Sequence, residues 1–170
     1  GRLEDMSLGI RCLLAEDVAT ARELARELDS LNQQRRSLEA DMHEDAIDDL
    51  AEDPSLAERH GVCLYREDWH QGVVGLVASR IKERIHRPVI AFAPGDGGQL
   101  KGSGRSVPGV HIRDVLDRVA TVNDGLLSRF GGHAMAAGLS LEPGRLAEFE
   151  HAFDQAVQEL ADPEALTPRL

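Results

Sequence analysis

A chain of 170 residues with 42% hydrophobic side chains is long enough for one domain with a real core, or one domain plus an extension. Its 30 Asp and Glu against 19 Lys and Arg give a formal net charge of -11, which excludes general electrostatic attraction to nucleic acid as the basis of function. No long apolar run, signal peptide or lipidation motif is found, so no membrane partner is expected and a cytoplasmic protein is.

The charge is unevenly spread. Residues 1–60 hold 7 basic and 16 acidic side chains, whereas Arg66 to His133 hold 10 basic and 7 acidic. A basic centre inside an acidic chain can still meet a phosphate locally. Cys12 and Cys63 have no metal-ligand spacing and read as two reduced thiols.

The chain begins "GRLEDMSLGI", without Met, and reads as the interior of a longer protein. From Ala15 to Asp53 no Gly or Pro interrupts a helical pattern. Leu24, Leu28, Leu31 and Leu38 form its apolar stripe, at spacings of three, four and seven. His43 sits among carboxylates in "DMHEDAIDD", which reads as an acidic, solvated helix face with no metal site.

The pattern changes near Pro54 to Gly61. "GVCLYRE" predicts a strand. "HQGVVGLVASRIKERIHR" predicts a turn and a helix, with Val73, Leu76, Val77, Ile81 and Ile85 on one stripe. "PVIAFAP" and "LKGSGRSV" predict strands, and "IRDVLDRVATV" a helix. "GGHAMAAG" predicts the start of a small helix, "LSLE" a strand, and "GRLAEFEHAFDQAVQEL" a last amphipathic helix. Strands alternating with helices predict an α/β fold: a mixed β-sheet flanked by helices and preceded by a long connector helix.

Three glycine-rich segments carry the chemistry. In "WHQGVVG", Gly72 permits a sharp turn into a helix whose free N–H groups attract anions, and His70 can add a hydrogen bond. In "KGSGRS", Gly102 and Gly104 remove side chains where a ligand or another backbone approaches. A period of two puts Lys101, Ser103 and Arg105 on one face, with Ser106 on the other unless the strand ends there. Arg105 can bind a phosphate through two parallel hydrogen bonds. In "FGGHAMAAG", Gly131 and Gly132 bare the backbone beside His133. Each segment has a plain structural reading as a turn or an edge strand. Together they suit an anionic ligand, most simply a phosphodiester. No Walker loop, GxSxG elbow or Asp/His cluster accompanies them, so the chain is expected to hold a phosphate without cutting it.

"WHQGVVGLVASRIKERIHRPVIAFAP", "LKGSGRSVPGVHIRDVLD" and "FGGHAMAAGLSL" together resemble the DHH-associated domain of the RecJ-like exonucleases, within the DHH phosphoesterase family. "GRLEDM" with the long helix resembles the end of the DHH domain and its connector. The resemblance implies residues 1–14 as the end of a catalytic domain, 15–60 as connector, 61–162 as substrate-binding domain and 163–170 as tail. It implies metal-dependent degradation of single-stranded DNA from the 5′ end, in DNA repair and recombination, with Mn²⁺ or Mg²⁺ held by Asp and His residues outside this chain. No catalytic or metal residue is therefore expected here, and the chain alone is expected to be inactive. Arg105 and Ser106 would hold the 5′ phosphate end, His133 would contact a substrate phosphate, and Arg2 would face the cleft. Lys101, Ser103, Gly104, Gly131, Gly132, His70 and Gly72 complete the expected substrate-binding set. Single-stranded DNA with a 5′ end is the expected partner, and a single-stranded-DNA-binding protein a further candidate. The alternatives are a nucleotide- or phosphate-binding regulatory module, an oligonucleotide phosphodiesterase domain of the same superfamily, and a protein-interaction domain built on the acidic helix.

Overall fold

The computed structural model describes residues 2–166, and side chains from residue 10 onward except that of Cys12. Helix α1 (Arg2–Glu52) runs unbroken for 51 residues. Contacts divide the chain into two compact units, Gly1–Leu38 and Glu39–Leu170, so the last turns of α1 belong to the second unit.

The expected apolar stripe has two fates. Leu24, Leu28 and Leu31 are 53%, 60% and 58% exposed. At 3.6 residues per turn, Met42 and Ala46 lie five turns on from Leu24 and Leu28, and both are buried. The acidic stretch around His43 is not the solvated face that its composition suggests. Asp45 and Asp49 pair with Arg66, and Asp45 also accepts from the Trp69 indole N–H at 3.2 Å. Half-buried His43 has an Nδ1 atom with no hydrogen-bond partner. Burial, then the Arg80 and Arg84 charges, lower its pKa.

The second unit is a five-stranded mixed sheet with helices on both faces. In chain order it contains β1 (Val62–Tyr65), α2 (Val74–Ile85), β2 (Val89–Pro94), β3 (Leu100–Arg105), α3 (Ile112–Val122), β4 (Arg129–Gly132), β5 (Ala136–Leu141) and α4 (Leu146–Leu160). The strand order is β1-β2-β3-β5-β4. Only β1 and β2 are parallel, as a strand–helix–strand crossover through α2 requires.

Alternation along the strands sorts the core. Cys63, Ile90, Phe92, Leu100, Leu139 and Leu141 pack with α3 and α4, where Phe92 meets Phe149 edge-on and Phe149 stacks on Phe153. Burial pushes the Cys63 thiol pKa well up, which makes it a packing residue. On the opposite face, α2 lies over β2 and β3. It buries Val74, Val77, Ala78 and Ile81 against that half of the sheet.

The stretch "GGHAMAAG" corrects its sequence reading. It is a β-hairpin, β4 to β5, with no helix. Gly132 has φ 143°, and a Cβ there would collide with the Ala136 carbonyl oxygen, so only glycine closes this turn. Two further bonds pin the turn, from Ser106 N–H to Met135 O and from Ile112 N–H to Ala134 O.

Candidate nucleic-acid interface

Helix α2 covers only part of its sheet face. Beyond it, β3, β5 and β4 line an open groove of about 780 Å³. Strand register builds the floor in rows. Lys101, Ser140 and Arg129 form one row; Ser103, Gly138 and Gly131 form the next; Arg105 and Ala136 form the third. Residues paired across strands share a face, so these side chains rise together.

The period-two reading of β3 holds: Lys101, Ser103 and Arg105 are half-buried on one face, while Leu100, Gly102 and Gly104 are buried on the other. Bare positions in β3 answer to the core. A Cβ at Gly102 would meet Phe92 at 2.6 Å, and one at Gly104 would meet Ile112 at 2.6 Å. Gly104 is therefore a packing residue, turned away from the groove.

Arg105 lies against the start of α2. A Cβ at Gly75 would sit 2.6 Å from the Arg105 Nη2, so this glycine lets the guanidinium cross the first helical turn. The Arg105 Nη1 donates to Gly104 O at 2.8 Å. Leu76 N–H and Val77 N–H both return to Val73 O, which leaves the Val74 and Gly75 N–H groups without an acceptor among the described residues. A guanidinium beside free helix N–H groups is a setting for an anion.

His70 and Gly72 shape this entry. Exposed His70 accepts the Gly72 N–H on Nδ1 at 3.0 Å. In the neutral imidazole the proton then sits on Nε2, which is free to donate outward. Trp69, 3% exposed, anchors the same loop.

Ser106 corrects its expected role. Its hydroxyl is fully buried and donates to Val110 O at 2.6 Å, so it ties the following loop and does not reach the groove face. Ser103 is the hydroxyl that shares a face with Arg105. His133 sits exposed in the β4–β5 turn, its N–H bonded to Ala136 O, next to the row of Arg105. Gly131 lies on the groove floor, and Gly132 closes the turn. Arg2 begins α1, and its side chain lies outside the described residues.

Sequence reasoning missed Arg129, Gly138 and Ser140. Their signal was the alternation of Ala137, Leu139 and Leu141 with Gly138 and Ser140, the period of a half-buried strand.

The groove lining carries cations and no carboxylate. Arg59, Arg66, Arg80, Arg113, Arg118 and Arg145 each pair with a carboxylate. Among the described residues, the groove cations Lys101 and Arg129 and the neighbouring Arg105 pair with none, as do Lys82, Arg84 and Arg87 elsewhere, and no Asp or Glu lines the groove. No three His, Cys, Asp or Glu side chains converge to hold a metal ion among the described residues, so the residues present do not fit a metal centre. No described helix is long and apolar enough to cross a membrane.

The DHHA1 domain model matches residues 56–159, most of the sheet unit and the whole groove. The chain belongs to the DHHA1 domain family. This DHHA1 chain is 51% identical over 168 residues to the single-stranded-DNA-specific exonuclease RecJ of Salmonella typhimurium, covering 98% of this chain and 29% of the relative. It thus spans under a third of that relative's length. A solved exonuclease RecJ bound to manganese superposes with a TM-score of 0.72 at 32% identity, over 88% of this chain and 35% of the other. RecJ of Thermus thermophilus in complex with Mg²⁺ superposes with a TM-score of 0.64 at 30% identity, over 81% of this chain and 20% of the other.

Proposed function

We propose that this chain is the strand-gripping part of a RecJ-like exonuclease, which degrades single-stranded DNA from its 5′ end during repair and recombination in the cytoplasm. One observation carries the reading: Arg105 lies across the first turn of α2, beside free helix N–H groups and on the same strand face as Ser103, which lines the adjoining groove without a carboxylate. The terminal phosphate binds there. Arg105 supplies a planar pair of donors, Ser103 a hydroxyl, and α2 the positive end of its dipole. His70 lies in the loop before α2, next to the groove residue Gln71, and His133 lies in the β4–β5 turn next to the row of Arg105. Each presents an imidazole to the phosphate chain.

Cleavage chemistry comes from Mn²⁺ or Mg²⁺ held in a domain outside this chain. A single-stranded-DNA-binding protein on the same substrate is a candidate partner. The 170-residue chain alone releases no nucleotides from single-stranded DNA in the presence of Mn²⁺; metal-dependent degradation by a pure preparation would overturn that.

The deciding experiment is Arg105→Ala, with binding of oligonucleotides that carry or lack a 5′ phosphate. A charge-assisted contact contributes about 1.5–3 kcal/mol, a loss on the order of ten- to hundredfold. Lysine restores only part, because it keeps the charge and loses the fork. Loss confined to the phosphorylated strand supports a terminal-phosphate site. Equal loss on both strands makes the contact an internal phosphate, and no loss on either removes Arg105 from the interface.

A further inference from the structure

At the end of the groove away from Arg105, the row Lys101–Ser140–Arg129 crosses three strands. Lys101 Nζ donates to Ser140 Oγ at 2.7 Å. Ser140 is 3% exposed, yet its own O–H meets no acceptor among the described residues. Lys101 satisfies the Ser140 oxygen, and the hydroxyl hydrogen can rotate toward an acceptor in the groove that Ser140 lines. The exposed Arg129 side chain has no hydrogen-bond or ion-pair partner among the described residues. In a chain of net charge -11, two cations and the hydroxyl between them in a carboxylate-free groove form a defined positive site.

Between this row and Arg105 lies a bare floor. A Cβ at Gly138 would have nothing nearer than 3.7 Å, and one at Gly131 nothing nearer than 3.8 Å. The fold itself has room for a side chain at both positions, in contrast to Gly102 and Gly104. Lys101 and Arg105 are four residues apart on one strand, about 13 Å at the rise of a β-strand.

We infer that Lys101, Ser140 and Arg129 form a second phosphate site, which takes an internal phosphodiester of the strand whose terminal phosphate lies on Arg105. The sugar–phosphate chain between them crosses the Gly138–Gly131 floor. This inference rests on the reading of the groove as a single-strand site. Lys101 and Arg129 contribute charge-assisted hydrogen bonds from opposite sides, and Ser140 donates from below. The second contact fixes the direction in which the strand leaves the terminal site.

The test measures binding by fluorescence anisotropy, with divalent metal chelated, on the intact protein that carries this chain. The probe is a 5′-phosphorylated oligothymidylate. Arg129→Gln weakens binding about tenfold and lowers the slope of log K against log salt by about 0.7, the loss of one phosphate contact on a single strand. Ser140→Ala weakens it several-fold, and thermal melting shows both variants folded. A series of probes with one internal phosphodiester replaced by a neutral methylphosphonate then locates the contact. At one linkage the Arg129→Gln effect disappears, whereas the Arg105→Ala effect disappears only when the 5′ phosphate is removed. An Arg129→Gln protein with unchanged affinity and slope overturns the inference, as does a loss that no neutral linkage abolishes. If Arg105→Ala weakens binding and Arg129→Gln does not, only the second site is wrong. If neither does, the reading of the groove fails with it.

Discussion

Two halves of one sheet face carry opposite surfaces. The β1–β2 half presents Val62, Leu64, Val89, Ala91 and Ala93, all buried. The β3–β5–β4 half presents Lys101, Ser103, Arg105, Ser140, Arg129 and two open glycines. The backbone is the same pleated ladder in both. Cover changes across the face: α2 lies over β2 and β3, where Lys101, Ser103 and Arg105 are half-buried at its margin, and no helix is packed over the groove side of β4 and β5 among the described residues. A covered half must be apolar to be stable. An open half is free to carry charge, and it does so without a carboxylate. Glycines divide the same way. Gly102 and Gly104 are bare because the core fills their space, whereas Gly131 and Gly138 are bare with space to spare.

Four substitutions test this contrast, and the covered half responds most. Trp69→Ala removes a buried ring and the indole bond that ties the loop before α2 to Asp45. A loss of about 3–5 kcal/mol is expected, read as a fall in melting temperature of roughly 6–20 °C. A change below about 1 kcal/mol would mean that this loop is not anchored to α1.

Gly104→Ala comes next. Its Cβ would press on Ile112 at 2.6 Å, an overpacked site that costs about 1–3 kcal/mol in chemical denaturation. The third test is pH. The pKa of His43 in the folded protein is lowered below its ordinary value of 6.5, first by burial and then by Arg80 and Arg84. Its neutral form therefore favours the fold. That stability is present above pH 6.5 and is lost as pH falls through the lowered folded-state pKa. Melting followed from neutral to mildly acidic pH should show a drop that His43→Gln reduces.

The smallest effect is expected at Gly138. Its Cβ meets nothing closer than 3.7 Å, and Gly→Ala lowers the entropy of the unfolded chain, so Gly138→Ala should shift stability by no more than about 0.5 kcal/mol. A strong destabilisation there would erase the distinction between the two kinds of glycine.

Much of the architecture was legible. Periods of 3.6 and 2 identified the long helix, part of the α2 stripe (Val77 and Ile81 are buried, whereas Leu76 is 46% exposed) and the one-faced set Lys101, Ser103 and Arg105. The hairpin at Gly131 was not. Alanine has the highest helix propensity, and a run of it beside glycine reads as a helix start. Pairing with β3 on one side and β4 on the other overrode that preference, because Ala136 and Ala137 gain a full ladder of hydrogen bonds there. Alternation had already placed Ser106 opposite Arg105, and its expected phosphate contact came from the resemblance alone. A hydroxyl next to an arginine in sequence is on the opposite side of an extended chain, and its partner Val110 O is set by the loop that follows.

The sequence by itself determined the α/β alternation, the long helix that precedes the sheet, and the face shared by Lys101, Ser103 and Arg105. Those are local properties, set by periodicity within one element. Only the tertiary structure decided that Arg105 rests on α2 and that Arg129, Ser140 and Lys101 stand in one row. It also decided which glycines serve the core and which the groove. Such relations depend on strand register and on which faces the helices leave open. Register is fixed by pairing between residues up to 41 apart, and no short window along the chain contains it.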